Sequence, residues 1–140
     1  MARHVPSLDD REFVAAFERC EMPGGGFTHR DHVRFAYVLL CELPVDEAHV
    51  RTKASLMAFL DHHKIDPAKY HETLTRAWLM AVRHFMDESA PSASADEFLE
   101  LNPRLLDSSI MKSHYSDERM DSPEARQRFV DPDRAPIPPS

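Results

Sequence analysis

The placement of glycine and proline is the feature that most restricts the fold of this chain. All three glycines lie together at residues 24–26, and the eleven prolines fall mostly between long uninterrupted segments. Glycine and proline weaken or end helices, so segments that lack both can stay helical over many residues. Apolar residues recur in these segments at spacings of three and four. The sequence therefore predicts an all-α fold, a compact bundle of about five to six helices.

Capping signals predict where the helices begin. Ser7 with Asp10, and Thr28 with Asp31, have the form of capping boxes, in which the two side chains satisfy each other's backbone N–H groups. The predicted helices run from about Leu8 to Cys20, Thr28 to Cys41, Asp46 to His63, Pro67 to Met86, Ser94 to Asn102 and Pro103 to His114, with a last turn or two from Ser122 to Phe129.

The segment that starts at Asp66 and Pro67 is expected to be the longest helix, because aspartate caps helices well and proline fits the first helical position. Residues 1–130 are predicted to form a single helical domain. Residues 131–140 are a proline-rich tail. Such a tail is either a loose end or an extended strap on the bundle, and the sequence leaves both alternatives open.

Charge and hydropathy limit the function classes. The net charge is −7, which disfavours binding through a nucleic-acid backbone, since that mode requires a basic face. No apolar run approaches the ~20 residues needed to cross a bilayer. The first residues contain no apolar segment typical of a secretory signal, so we expect a cytoplasmic protein. Cys20 and Cys41 lie in apolar helical patterns, which favours reduced thiols over a disulfide.

Histidines provide the chemical signal in this sequence. On a helical wheel of residues 28–41, His29 and His32 share one sector with Val33, Ala36 and Leu39, so both imidazoles are expected to face the core. Helical bundles build metal centres from inward side chains on facing helices. The same spacing argument predicts that His71 lies on the core face of the longest helix.

These histidines predict one transition-metal ion held by His29, His32 and His71, with His63 as a candidate fourth ligand. Imidazole ligands suit zinc, iron, copper or nickel. Thr75 lies one turn after His71, so its hydroxyl is expected either to orient a ligand or contact substrate, or to bond back to the His71 carbonyl. Tyr115 is the second candidate catalytic residue, with ordinary core packing as its alternative.

Two functions remain open at this point. The first is a small metalloenzyme that acts on a small organic substrate: bound zinc would favour hydrolysis, whereas iron or copper would favour oxygen chemistry. The second is a non-catalytic helical module for metal binding, sensing or protein interaction, because no acid/base pair is predicted beside the histidines. A closed four-ligand site favours the module, and an open site next to a pocket favours the enzyme.

Two motifs also carry a resemblance. Residues 27–32 read F-x-H-x-x-H and residues 70–75 read Y-H-x-T-x-T, and a Tyr-Ser pair precedes the proline-rich end. In this order the motifs resemble those of a group of short bacterial proteins without an assigned activity. The resemblance spans most of the chain and implies no particular reaction.

Overall fold

The computed structural model describes residues 3–22 and 27–138, and every element of secondary structure in these residues is helical. The predicted all-α bundle is confirmed. The glycine loop expected at residues 24–26 lies outside the described residues. The α-helices are α1 (Leu8–Glu18), α2 (His29–Leu40), α3 (Val45–His62), α4 (Glu72–Glu88), α5 (Ala95–Leu101), α6 (Asp117–Met120) and α7 (Pro123–Gln127), and short 3₁₀ helices cover Pro67–Lys69, Pro103–Leu106 and Ser108–Ser113.

The first two helices begin with the capping boxes that the sequence predicts. The Asp10 N–H donates to Ser7 Oγ at 3.0 Å, and the Ser7 N–H donates to the Asp10 carboxylate at 3.0 Å. Thr28 and Asp31 repeat the arrangement at the start of α2. Both starts were predictable because a capping box needs only residues three positions apart.

The start of α4 differs from the prediction. Asp66 caps only the three-residue 3₁₀ helix, and the backbone is extended at Tyr70. His71 is the N-cap of α4, and its Nδ1 accepts the Leu74 N–H at 3.1 Å. His71 therefore does not lie on a helical core face, and α4, with 17 residues, is one residue shorter than α3. A tertiary contact favours this arrangement, since His71 Nε2 donates to the Met120 carbonyl at 2.7 Å.

Two further local predictions were wrong. The N-cap of α3 is Pro44 rather than Asp46, and no side chain within the described ranges caps that helix. Asp46 instead forms an ion pair with Arg76 at 2.7 Å. Residues 103–114, predicted as one helix, form two 3₁₀ helices because the backbone is extended at Asp107 between them. The short helix α6 was not predicted.

Helix α4 lies between two hydrophobic clusters. The larger cluster draws its buried residues mainly from α1 to α5, and the smaller one joins α4 to the C-terminal segments. Val130 and Ile137 are buried in the smaller cluster. The Arg134 N–H also donates to the His114 carbonyl at 2.9 Å. Residues 131–138 thus lie along the bundle as an extended strap.

No helix in the described ranges is both long enough and apolar enough to span a lipid bilayer.

Candidate functional site

Two neighbouring cavities lie where α2, α3 and α4 face one another. The first, which we call the histidine cavity, has a volume of about 130 Å³, and the second, the tyrosine cavity, has a volume of about 320 Å³. They share a wall formed by His32, Leu56, Leu74 and Thr75. The histidine cavity is also lined by His29, Ala36, Thr52, Trp78 and Leu79, and the tyrosine cavity by Phe27, Phe59, Leu60, Lys69, Tyr70 and His71.

His29 is held in a defined orientation at the first position of α2. Its Nε2–H donates to the Leu105 carbonyl at 2.9 Å. Its ring lies 4.6 Å from the Trp78 ring, centroid to centroid, at an interplanar angle of 63°. Because Nε2 carries the hydrogen, the neutral ring has its lone pair on Nδ1. A backbone carbonyl that orients an imidazole in this way is common behind metal-ligating histidines.

His32 lies one turn further along α2 and lines both cavities. The residue is exposed to solvent, and its ring lies edge-on to the Phe27 ring with 4.3 Å between the centroids. Loss of surrounding water and repulsion from nearby His29 lower the pKa of His32 to about 4. The imidazole is therefore neutral at pH 7, and a neutral imidazole has a nitrogen lone pair for a metal ion or a hydrogen-bond donor.

Two threonine hydroxyls complete the polar lining of the histidine cavity. Thr52 on α3 is 7% exposed, and its Oγ1 is buried with no hydrogen-bond partner in the described part of the chain. Thr75 on α4 donates to the His71 carbonyl at 2.8 Å, which is the back-bonding alternative expected from the sequence. An unpartnered buried hydroxyl is costly, but Thr52 Oγ1 exposes less than 1 Å² of surface, so it is closed off from an occupant of the cavity.

The other predicted site residues are placed differently. His71 lines the tyrosine cavity, but both of its nitrogens are engaged, Nδ1 with the Leu74 N–H and Nε2 with the Met120 carbonyl. His63 is not among the residues that line either cavity, and its Nε2 donates to the Met22 carbonyl at 3.1 Å.

Tyr115 also lies away from both cavities. It is 1% exposed in the smaller hydrophobic cluster, and its hydroxyl donates to the Val130 carbonyl at 2.7 Å. This is the core-packing alternative of the sequence analysis. The structure therefore brings His29, His32 and Thr75 to one cavity, with His71 at the neighbouring one.

A polar network behind the tyrosine cavity was missed by the sequence analysis. Glu72 Oε1 accepts hydrogen bonds from the Tyr70 hydroxyl and from His49 Nε2, both at 2.7 Å. Arg76 approaches His49 Nδ1 at 3.3 Å, and Lys53 lies 3.4 Å from the Glu72 carboxylate. The sequence predicted no acid/base pair beside the histidines. His49 is half-buried on α3, and a histidine in such a position needs polar partners, but its burial depends on how the helices pack and is not visible in the sequence.

No group of three or more histidine, cysteine, aspartate or glutamate side chains is arranged to hold a metal ion within residues 3–22 and 27–138. Comparison with known proteins found no match to the chain among protein-family models, curated proteins or solved structures. The resemblance to short bacterial proteins stays a prediction, and the function is argued from the cavities alone.

Proposed function

We propose that this protein is a small metalloenzyme in which His29 and His32 bind one transition-metal ion and a small organic substrate occupies the two cavities beside it. The observation that carries the proposal is the concentration of unused polar capacity around the histidine cavity. Nδ1 of His29 and a nitrogen of neutral His32 each have a lone pair for a metal ion.

The chemistry of these groups suits a metal with open positions. Helical bundles build metal centres from inward side chains, including pairs three residues apart on one helix. Zinc, iron, copper and nickel all accept imidazole nitrogen. Catalytic zinc sites have three protein ligands and one open position for water or substrate, and two imidazole ligands would leave further positions open. The choice between hydrolytic and oxidative chemistry depends on which metal binds.

His71 is left out of the ligand set proposed here, in contrast to the three-histidine set expected from the sequence. Its Nδ1 would have to release the Leu74 N–H, or its Nε2 the Met120 carbonyl, before it could bind a metal. Losing an N-cap costs about 1 kcal/mol. We therefore assign His71 a structural role at the start of α4.

The lining and the volume of the two cavities suit a small organic substrate. Their walls are mostly apolar, with Trp78 and Leu79 in one and Phe59 and Leu60 in the other. A few polar groups within an apolar lining are typical of sites for small organic molecules. The volume of the tyrosine cavity lies near the lower end of the usual range for such sites, roughly 300–1,000 Å³.

Metal analysis tests the proposal directly. The protein is purified from cells supplied with zinc, iron, copper and nickel, and its metal content is measured by plasma mass spectrometry. We expect stoichiometric metal in the wild type and loss of most of it in His29→Ala and His32→Ala. His62→Ala, which removes an exposed histidine at the end of α3, is the matched control and is expected to keep the metal.

His71→Asn tests whether the metal is bound by His29 and His32 alone or by these two histidines together with His71. Asparagine is a good N-cap, so this variant should preserve α4 while removing the imidazole. We expect it to retain the metal, with helicity checked by circular dichroism. Loss of metal from a folded His71→Asn protein would contradict our ligand assignment. Absence of stoichiometric metal from the wild type would refute the metal centre itself.

A second candidate is a non-catalytic module that binds a small molecule without metal. It is favoured by the lack of a preformed group of three ligands in the described residues and by the engaged nitrogens of His71. Small-molecule binding by wild-type protein that contains no stoichiometric metal when purified from metal-supplied cells would support this module over the enzyme.

A further inference from the structure

The hydrogens of several polar groups that line the two cavities are already committed to the protein. The Thr75 hydroxyl donates to the His71 carbonyl at 2.8 Å, and the Tyr70 hydroxyl donates to Glu72 at 2.7 Å. His29 uses its Nε2–H on the Leu105 carbonyl. After these bonds are made, each group has only lone pairs left to offer to a ligand.

The state of Glu72 fixes the direction of the hydrogen bond from Tyr70. Burial acts to raise the pKa of Glu72, but hydrogen bonds from Tyr70 and His49 and the nearby charge of Lys53 hold this pKa below its usual value. Glu72 is thus an ionised carboxylate that can only accept hydrogen bonds. Burial and the bond to Glu72 raise the pKa of Tyr70, so the phenol keeps its proton and must donate it to Glu72.

We infer that the small molecule bound in the cavities has an apolar body and a hydrogen-bond donor, an alcohol or an amine, as its polar end. This inference rests on the proposed function, since it assumes that the cavities bind a small molecule, and it names the chemical class. Such a donor would meet the lone pairs of Thr75 and Tyr70.

A ligand that carries only acceptor atoms fits these walls poorly. A carbonyl or carboxylate oxygen placed at Thr75 and Tyr70 would face the lone pairs of both hydroxyls. The Trp78 indole N–H is a donor, but it belongs to the lining of the histidine cavity. Lys69 is the cationic residue of the described lining, but it is exposed. Its ammonium group is already hydrated and therefore offers a carboxylate only a weak, screened attraction.

The single tryptophan of the chain makes the inference testable. Trp78 is that residue, and it lines the histidine cavity, so its fluorescence should respond to an occupant. The probes are benzyl alcohol, benzylamine, benzaldehyde, benzoate and toluene, which share one ring and differ in the polar end. Titrations are run on the protein as purified and after treatment with a chelator, because an amine can also bind a metal.

We expect benzyl alcohol and benzylamine to bind at least about tenfold more tightly than benzaldehyde and benzoate, with or without chelator, since one net hydrogen bond is worth roughly this factor. Thr75→Val should reduce the preference for the alcohol over the aldehyde to within about twofold. Thr75→Ser keeps the hydroxyl and should retain the preference, so it controls for changes in packing.

The outcomes separate this inference from the proposed function. Equal binding of all the probes, or tighter binding of benzaldehyde or benzoate, would overturn the donor class while leaving a small-molecule cavity in place. No binding of any probe would overturn the substrate cavity. The metal centre is judged by metal content alone, which does not depend on these probes.

Discussion

Asp10 holds three segments of the bundle together through one buried carboxylate. It is 2% exposed. Its Oδ2 accepts the Ser7 N–H at 3.0 Å and the Ala95 N–H at 2.8 Å, and its Oδ1 accepts Arg34 Nε at 2.9 Å. The start of α1, the middle of α2 and the start of α5 therefore meet at this side chain. Asp10→Ala removes all three bonds at once.

The expected loss in the free energy of unfolding follows from the groups that Asp10→Ala leaves without a partner. The buried Ala95 N–H would lose its partner, at a cost of about 1–3 kcal/mol. Loss of the Ser7 contact weakens the capping box by about 0.5–1 kcal/mol. Arg34 is partly exposed, so its lost ion pair adds only about 1 kcal/mol. We expect Asp10→Ala to lower the free energy of unfolding by about 3–5 kcal/mol, the range found when one member of a buried ion pair is removed.

Urea denaturation followed by circular dichroism measures this change. Asp9→Ala is the matched control, because Asp9 is the neighbouring exposed acid in the first turn of α1, and its loss should cost less than about 1 kcal/mol. Asp10→Asn keeps one carbonyl oxygen and should fall between the two. A loss below about 1 kcal/mol in Asp10→Ala would refute the reasoning, since an unpaired buried N–H alone should cost more.

Two further predictions concern acid stability and the C-terminal strap. The pKa of His32 in the folded protein, about 4, is below its value in the unfolded chain. The contribution of neutral His32 to the free energy of unfolding is therefore present above about pH 6.5 and is lost as the pH falls towards 4. Solvent screening limits this loss to on the order of 1 kcal/mol. In urea titrations, His32→Gln should lose less stability than the wild type between pH 7 and 4.5. Equal losses in the two proteins would contradict this prediction. Thr73 donates to the Arg128 carbonyl and accepts the Val130 N–H, so Thr73→Val should cost about 1–3 kcal/mol and speed trypsin cleavage in the strap. Unchanged stability and cleavage would exclude this role.

Local sequence determined the all-α fold class and placed the two candidate metal ligands, His29 and His32, on one helix face. The capping boxes at Ser7 and Thr28 each span four residues, so they form wherever the chain folds locally as a helix. His29 and His32 lie one turn apart on α2, and helical geometry alone brings them to neighbouring positions on one face. Both line the histidine cavity for this reason.

Tertiary contacts decided the remaining features of the site. His71 caps α4 rather than lying within it, and its second nitrogen bonds Met120, which is 49 residues away in the sequence. Glu72 turns towards His49, 23 residues before it, and Thr52 is buried where α2, α3 and α4 face one another. Sequence spacing sets which residues share a helix face, whereas the partner of a polar group depends on how the helices pack. The cavity walls and the direction of their hydrogen bonds therefore emerge only when the bundle is assembled.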